Sequence, residues 1–178
     1  ALKPAGQLSQ TRKIGVMATR GTLESAKFAA LKASLADQAE FIIQPCDGLA
    51  AAIETQDTPK IIALLATYTP AIGQFGTKNG QIDTLVLGCT HYPFAAHTIK
   101  QLVGKHVQLI EPGEPVARHT RRLLEQAQLL RNGPHMAQLT LLATARPQRL
   151  AQAAHIWLGL PQAKAQAAEV LIEQHYTT

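Results

Sequence analysis

Apolar residues in this chain gather in short runs separated by longer stretches of helical spacing. The clearest run is Leu85-Val86-Leu87, bounded by Asp83-Thr84 on one side and Gly88 on the other. An unbroken apolar run of that length suits a strand covered on both faces, as in a parallel sheet. Three further runs have the same character: Lys13 to Thr19, Glu40 to Gln44 and Lys105 to Ile110. Between them the spacing predicts helices at about Leu23–Leu35, Leu49–Glu54 and Thr58–Phe75, one following Tyr92-Pro93, and one over Glu114–Leu130. The last of these carries Val116, Ala117, Leu123, Leu124 and Ala127 as an apolar stripe. Residues 1–11, polar with one proline and one glycine, read as a connector.

Turn and cap residues sharpen these limits. Thr22 is placed to cap the helix that begins at Leu23, and Asp47 the helix that begins at Leu49. Pro59 and Pro93 fit first helical turns, whereas Pro70 is expected to kink or interrupt its helix. Gly76 to Gly80 reads as a loop. Arg131 to Pro134 is a break, followed by a strand at about 137–145, a helix at 147–158 and a last strand near 167–172. Strands alternating with helices predict an α/β fold, a doubly wound and mostly parallel sheet.

Composition narrows the class. The chain has 178 residues, 46% hydrophobic and 16% charged, which suits one domain or two small ones with a true core. Nothing in it approaches the roughly 20 apolar residues of a membrane span, and no segment resembles a signal peptide, so a cytoplasmic protein without membrane partners is expected. The formal charge of +5 favours small anions. The basic cluster Arg118-His-Thr-Arg-Arg122 lacks interleaved aromatics and reads as a solvated helix face, not a nucleic-acid surface. Two cysteines, Cys46 and Cys89, are too few for a disulfide framework.

Candidate chemistry concentrates after the clearest strand. Gly88 is followed by Cys89, Thr90 and His91, where ligands bind in open α/β sheets. A lone cysteine is more often a small buried hydrophobe. A thiol at a helix start with an imidazole two residues away is instead in the setting that activates thiols. A zinc site needs at least three protein ligands, and this segment offers two. Thr19 and Thr22, after the first strand, also serve ordinary turn and cap chemistry.

Leu87-Gly-Cys-Thr-His-Tyr-Pro93 closely resembles the second cysteine signature of bacterial glutamate racemases, in the aspartate/glutamate racemase superfamily. Collinear segments extend the likeness. Leu2-Lys-Pro-Ala5 resembles the approach to the family's second domain, and Ala18-Thr-Arg-Gly-Thr22 with Ser25 resembles its A-T-x-G-T-x-x-S segment. Cys46 to Glu54 resembles a C-P-x-x-V-x-x-x-E helix start, with Asp47 in place of the usual proline. Gly113 to Arg118 resembles a G-x-x-x-A-R helix, after Glu111-Pro112 where Asp-Ser is common. The likeness covers the chain to about residue 130.

The resemblance implies an aspartate/glutamate racemase-like fold and racemisation of glutamate without a cofactor, by two opposed cysteines, to supply D-glutamate for peptidoglycan. Cys89 matches one of the two and would act as base or acid on one face of the α-carbon, with His91 assisting. Thr90 would bind the substrate carboxylate, Thr19 and Thr22 would line the pocket, and Glu54 matches an acidic residue near the site. Cys46 does not match the second catalytic cysteine. The family's Asp-Ser-Gly and Ala-Cys-Asn-Thr motifs, which belong to its first domain, do not occur in this sequence. The expectation is a partial chain: 1–112 as the second domain, and 113–178 as a segment that completes the first. Taken alone it should be inactive, and its uncovered surface should promote a homo-oligomer, most simply a dimer. Other readings are a sister enzyme acting on aspartate or another small acid, and a non-catalytic module with this fold.

Overall fold

A computed structural model describes residues 1–131, 133, 139–160 and 164–169. The remainder of the expected break (132 and 134) and of the two late strands (137–138 and 170–172) lies outside the described residues. The chain divides into two compact units, Ala1–Leu130 and Arg131–Thr178.

In the first unit, four strands form one parallel sheet: β1 (Lys13–Ala18), β2 (Glu40–Pro45), β3 (Thr84–Gly88) and β4 (Gln108–Ile110). Their order is β2-β1-β3-β4. The chain therefore moves outward from β1 to β2, then crosses back to β3, and the order reverses between β1 and β3. Helices α2 (Arg20–Leu23) and α3 (Ala26–Ala33) make the first crossover, and α4 (Leu49–Glu54) and α5 (Thr58–Ile72) the second. Right-handed crossovers in opposite directions place these two groups on opposite faces. Helix α6 (Ala96–Val103) leads to β4, and α7 (Gly113–Gln126) follows it.

Both faces of the central strands are buried, as their unbroken apolar runs require. Ile14 and Val16 of β1 and Val86 of β3 pack with Leu2 and Ala5 of a helix α1 (Leu2–Leu8) and with Leu35 and Ala39. On the other face, a Cβ added to Gly15 would lie 2.9 Å from both Ile72 of α5 and Leu85. Only a hydrogen fits where α5 crosses β1.

The structure corrects several expectations. Residues 1–11 are not a plain connector, because Leu2 and Ala5 have apolar partners and Pro4 sits in the first turn, where it is tolerated. The expected 23–35 helix is two helices. Thr22 lies inside the short α2, and Ser25 caps α3 by accepting from the Phe28 N–H at 3.2 Å. Asp47 does not cap α4; Gly48, at φ +78°, occupies that position. Helix α5 is capped instead by Asp57, which accepts from the Lys60 N–H at 3.1 Å, and it runs through Pro70 to end two residues later. Pro70 forgoes its own N–H bond, but only two helical residues follow it, so a kink there has almost no helix to redirect.

In the second unit, β5 (Leu141–Ala143) and β6 (Ala165–Ala167) pair in parallel, with α8 (Pro147–Leu158) packed on both. Pro147 opens α8 and Gly159, at φ +64°, closes it.

Candidate active site

The register sets the site. Ala18 pairs with Pro45 on one side and with Gly88 on the other, so three strands end at one level. The residues that follow, Thr19, Cys46 and Cys89, share a rim. The rim between β1 and β3 is the topological switch point, where an open parallel sheet leaves a crevice.

Gly88 brings the strands together there. A Cβ on it would lie 2.9 Å from the Ala18 Cβ and 3.1 Å from the Met17 carbonyl oxygen. Neither neighbour is a flexible side-chain end, so the position admits nothing larger than glycine without moving the strand. Beyond it the backbone turns at once: the Tyr92 N–H donates to the Cys89 carbonyl at 3.3 Å. A single 3-10 turn, Tyr92–Ala95, runs on into α6. Tyr92 is fully buried and anchors the turn from beneath, its hydroxyl reaching the Cys46 carbonyl at 3.4 Å.

That anchor leaves the preceding residues at the surface. Cys89 and His91 are half-buried and Thr90 is exposed. The Cys89 Sγ lies 3.8 Å from the His91 Nδ1, within reach of a sulfur hydrogen bond. Thr19 and Thr22 meet through their hydroxyls at 2.9 Å, and the Thr19 carbonyl accepts from the Thr22 and Leu23 N–H groups. The five residues singled out in the sequence thus lie on the turns after two neighbouring strands. Glu54 is not among them, being exposed at the far end of α4 from the rim.

The two cysteines are chemically unlike. Cys46 is buried, and its Sγ donates to the Gln44 carbonyl at 3.4 Å. Burial, with the negative charge of Asp47 next, pushes its thiol up to about 12. It stays a neutral thiol at pH 7 and cannot serve as a base. Nor can it reach Cys89, because β1 separates their strands. Two strand spacings, about 9.6 Å, exceed the ~7 Å Cα span of a disulfide.

Arg20 and Tyr68 at this rim escaped the sequence reading, in which Asp47 figured only as a helix cap and a departure from the usual proline. The Arg20 guanidinium donates to the Asp47 carboxylate across from the next strand tip, and the Tyr68 hydroxyl donates to the Asp47 carbonyl at 2.8 Å. The available signal was Arg20 lying between the two threonines, and an acid in place of proline at position 47. A polar cleft of about 350 Å³ opens at the opposite end of the sheet, between Arg12, Asp37 and Glu40. Among the described residues, no group of three or more His, Cys, Asp or Glu is placed to hold a metal ion. No helix among them is long and apolar enough to cross a membrane.

Comparison with known proteins follows the same lines. No family model matches the chain. It is 41% identical over 136 residues to the glutamate racemase of Pseudomonas syringae pv. tomato, which covers 75% of this chain and 48% of that protein. Against the glutamate racemase of Stutzerimonas stutzeri it is 39% identical over 162 residues, covering 89% of this chain and 58% of the relative. Among solved structures, a glutamate racemase isoform from Bacillus anthracis superposes with a TM-score of 0.75 at 26% identity, over 96% of this chain and 61% of that one. The Escherichia coli glutamate racemase, solved with L-glutamate and the activator UDP-MurNAc-Ala, shares the fold at a TM-score of 0.73 and 21% identity, over 97% of this chain and 64% of that one. The chain spans about half the length of the curated relatives it matches. By sequence and by fold, this chain belongs to the glutamate racemase family.

Proposed function

We propose that this chain supplies one catalytic face of a glutamate racemase. The observation that carries the reading is the Cys89–His91 pair, 3.8 Å apart at the β1/β3 switch point. Cys89 as thiolate takes the α-proton of the bound amino acid and becomes a thiol, leaving the electron pair on the α-carbon and its carboxylate. A second thiol on the opposite face then delivers a proton, and the centre is inverted. His91 holds or relays the Cys89 proton, acting as a general acid–base partner. Thr90, Thr19 and Thr22 supply hydroxyl and backbone donors to the carboxylate, where negative charge grows as the proton leaves. No cofactor is required by this route.

The opposing thiol must come from outside these residues, since the sequence holds two cysteines and Cys46 is buried and neutral. The family resemblance supports reading 1–112 as the second domain and 113–178 as a segment completing the first, and in this proposal the first domain contributes the other face. Glutamate is the substrate proposed, with cell-wall synthesis as its use and the cytoplasm as its setting.

The test is α-proton exchange in deuterium oxide. The isolated chain should show no inversion of either glutamate enantiomer, and iodoacetamide should alkylate Cys89 but spare Cys46. Glutamate should slow that alkylation. Inversion at an ordinary enzymatic rate by this chain alone would overturn the two-thiol reading, and indifference of Cys89 alkylation to glutamate would overturn the substrate assignment.

A further inference from the structure

We infer that Arg20 and Asp47 form a positioning pair that fixes the Thr19–Thr22 turn, and so helps set how tightly the site holds an amino-acid carboxylate. The second half of that statement rests on the reading under Proposed function; the first does not.

The turn needs such a tether. Helix α2 has four residues and none of them is buried, and one helical turn is not stable by itself in water. Its one apolar anchor is Leu23, half-buried against the core at the end distant from Thr19. At the other end, Arg20 follows Thr19 directly and spans to Asp47 on the turn after β2. Glu24, one helical turn on, lies 3.8 Å from the same guanidinium and holds it from behind. Asp47 is itself fixed, because the Tyr68 hydroxyl of α5 bonds its carbonyl and the neighbouring Cys46 N–H donates to Ala18 at 3.0 Å. The ion pair therefore links a weakly held turn to a firmly held one. Donors to a reacting carboxylate must be held within a fraction of an ångström, so a loosened turn reduces binding even when the fold survives.

Arg20 and Asp47 are each about half exposed, with side-chain exposures of 55% and 55%. Pairs of this kind contribute little to global stability and weaken with salt. Their effect should be local. In the chain carrying Arg20→Met, the amides of Thr22 and Leu23 should exchange with solvent about two- to fivefold faster, while β3 amides keep their wild-type rates. Molar salt should shrink the difference, and the charge-swapped Arg20→Asp/Asp47→Arg chain should recover most of it. Glutamate protection of Cys89 should weaken by a similar factor in the single variant and return in the swap.

Unchanged exchange at Thr22 and Leu23 in Arg20→Met would overturn the positioning role, whatever glutamate does. Faster exchange restored by the swap, with glutamate protection the same in all three chains, would uphold the tether and overturn its link to substrate. Absence of glutamate protection in the wild-type chain would instead strike the site reading itself, leaving the exchange data to decide the tether.

Discussion

Asp83 begins the segment that leads to Cys89, and replacing it should show how the site is held from below. Its side chain is buried, 5% exposed, and accepts four hydrogen bonds. Ser9 and Thr84 donate hydroxyls to one oxygen at 2.6 and 3.0 Å, and the Gln10 and Thr11 N–H groups donate to the other at 2.7 and 3.0 Å. The carboxylate thereby ties the segment entering β1 to the residue entering β3, the two strands whose far ends carry the site. Asp83→Asn keeps the shape. Its amide oxygen can accept from the two N–H groups, and its NH2 can face the two hydroxyls, which rotate to accept. What is lost is the charge, a loss of about 1–2 kcal/mol. Asp83→Ala strands two backbone donors at about 1–3 kcal/mol each and removes the hydroxyl partners, about 3–5 kcal/mol in all.

Hydrogen exchange at core amides of β1 and β3 reports the stability of this unit separately from residues 131–178. Exchange should accelerate about 5- to 30-fold for Asn, and by a hundredfold to several thousandfold, roughly, for Ala. The pH dependence gives an independent check. Burial pushes the Asp83 carboxyl up, but its four donors outweigh that and hold it below the ordinary aspartate value. As pH falls through about 4 the unfolded chain takes up this proton before the folded one, so the stabilisation present at neutral pH is lost progressively. The wild-type advantage over Asn should narrow as pH falls below about 4, the ordinary aspartate value, and should be full at neutral pH. Equal losses for Asn and Ala, independent of pH, would show that the carboxylate is a bystander.

Gly88→Ala should destabilise the chain by about 1–3 kcal/mol, because the new methyl meets the Ala18 Cβ at 2.9 Å and a backbone oxygen at 3.1 Å. Urea denaturation should show the loss, and a wild-type midpoint would mean the strand tips have slack. Helix α7 buries none of its residues, and Val116, Leu123 and Leu124 are 61%, 49% and 37% exposed. The proposed self-association should therefore give a light-scattering mass above the 19.2 kDa monomer, reduced by Leu123→Glu; a monomer in the wild-type chain would refute it.

Much of the architecture was legible because buried parallel strands write themselves as unbroken apolar runs. Leu85-Val86-Leu87, the β1 run and the 147–158 helix lie where the pattern places them. The Cys89-Thr90-His91 cluster was legible for the same reason, since a glycine ending such a run marks a strand tip. Local signals failed where long-range contacts decide the outcome. Leu2 and Ala5 became a helix because the sheet offered them a face.

Asp47 carries the same lesson for chemistry. Its sequence neighbours suggest a helix cap, yet its partner is Arg20, 27 positions away in sequence, and only the parallel pairing of β1 with β2 brings the two together. Residue order alone specified which segments would be strands, which would be helices, and that a thiol and an imidazole would emerge together from a buried strand. Strand order was decided by tertiary packing, because each apolar run is equally content beside any other. That choice put β1 next to β3, set Thr19 and Thr22 on the turn neighbouring Cys89, and left the buried Cys46 on the far side of β1 from Cys89.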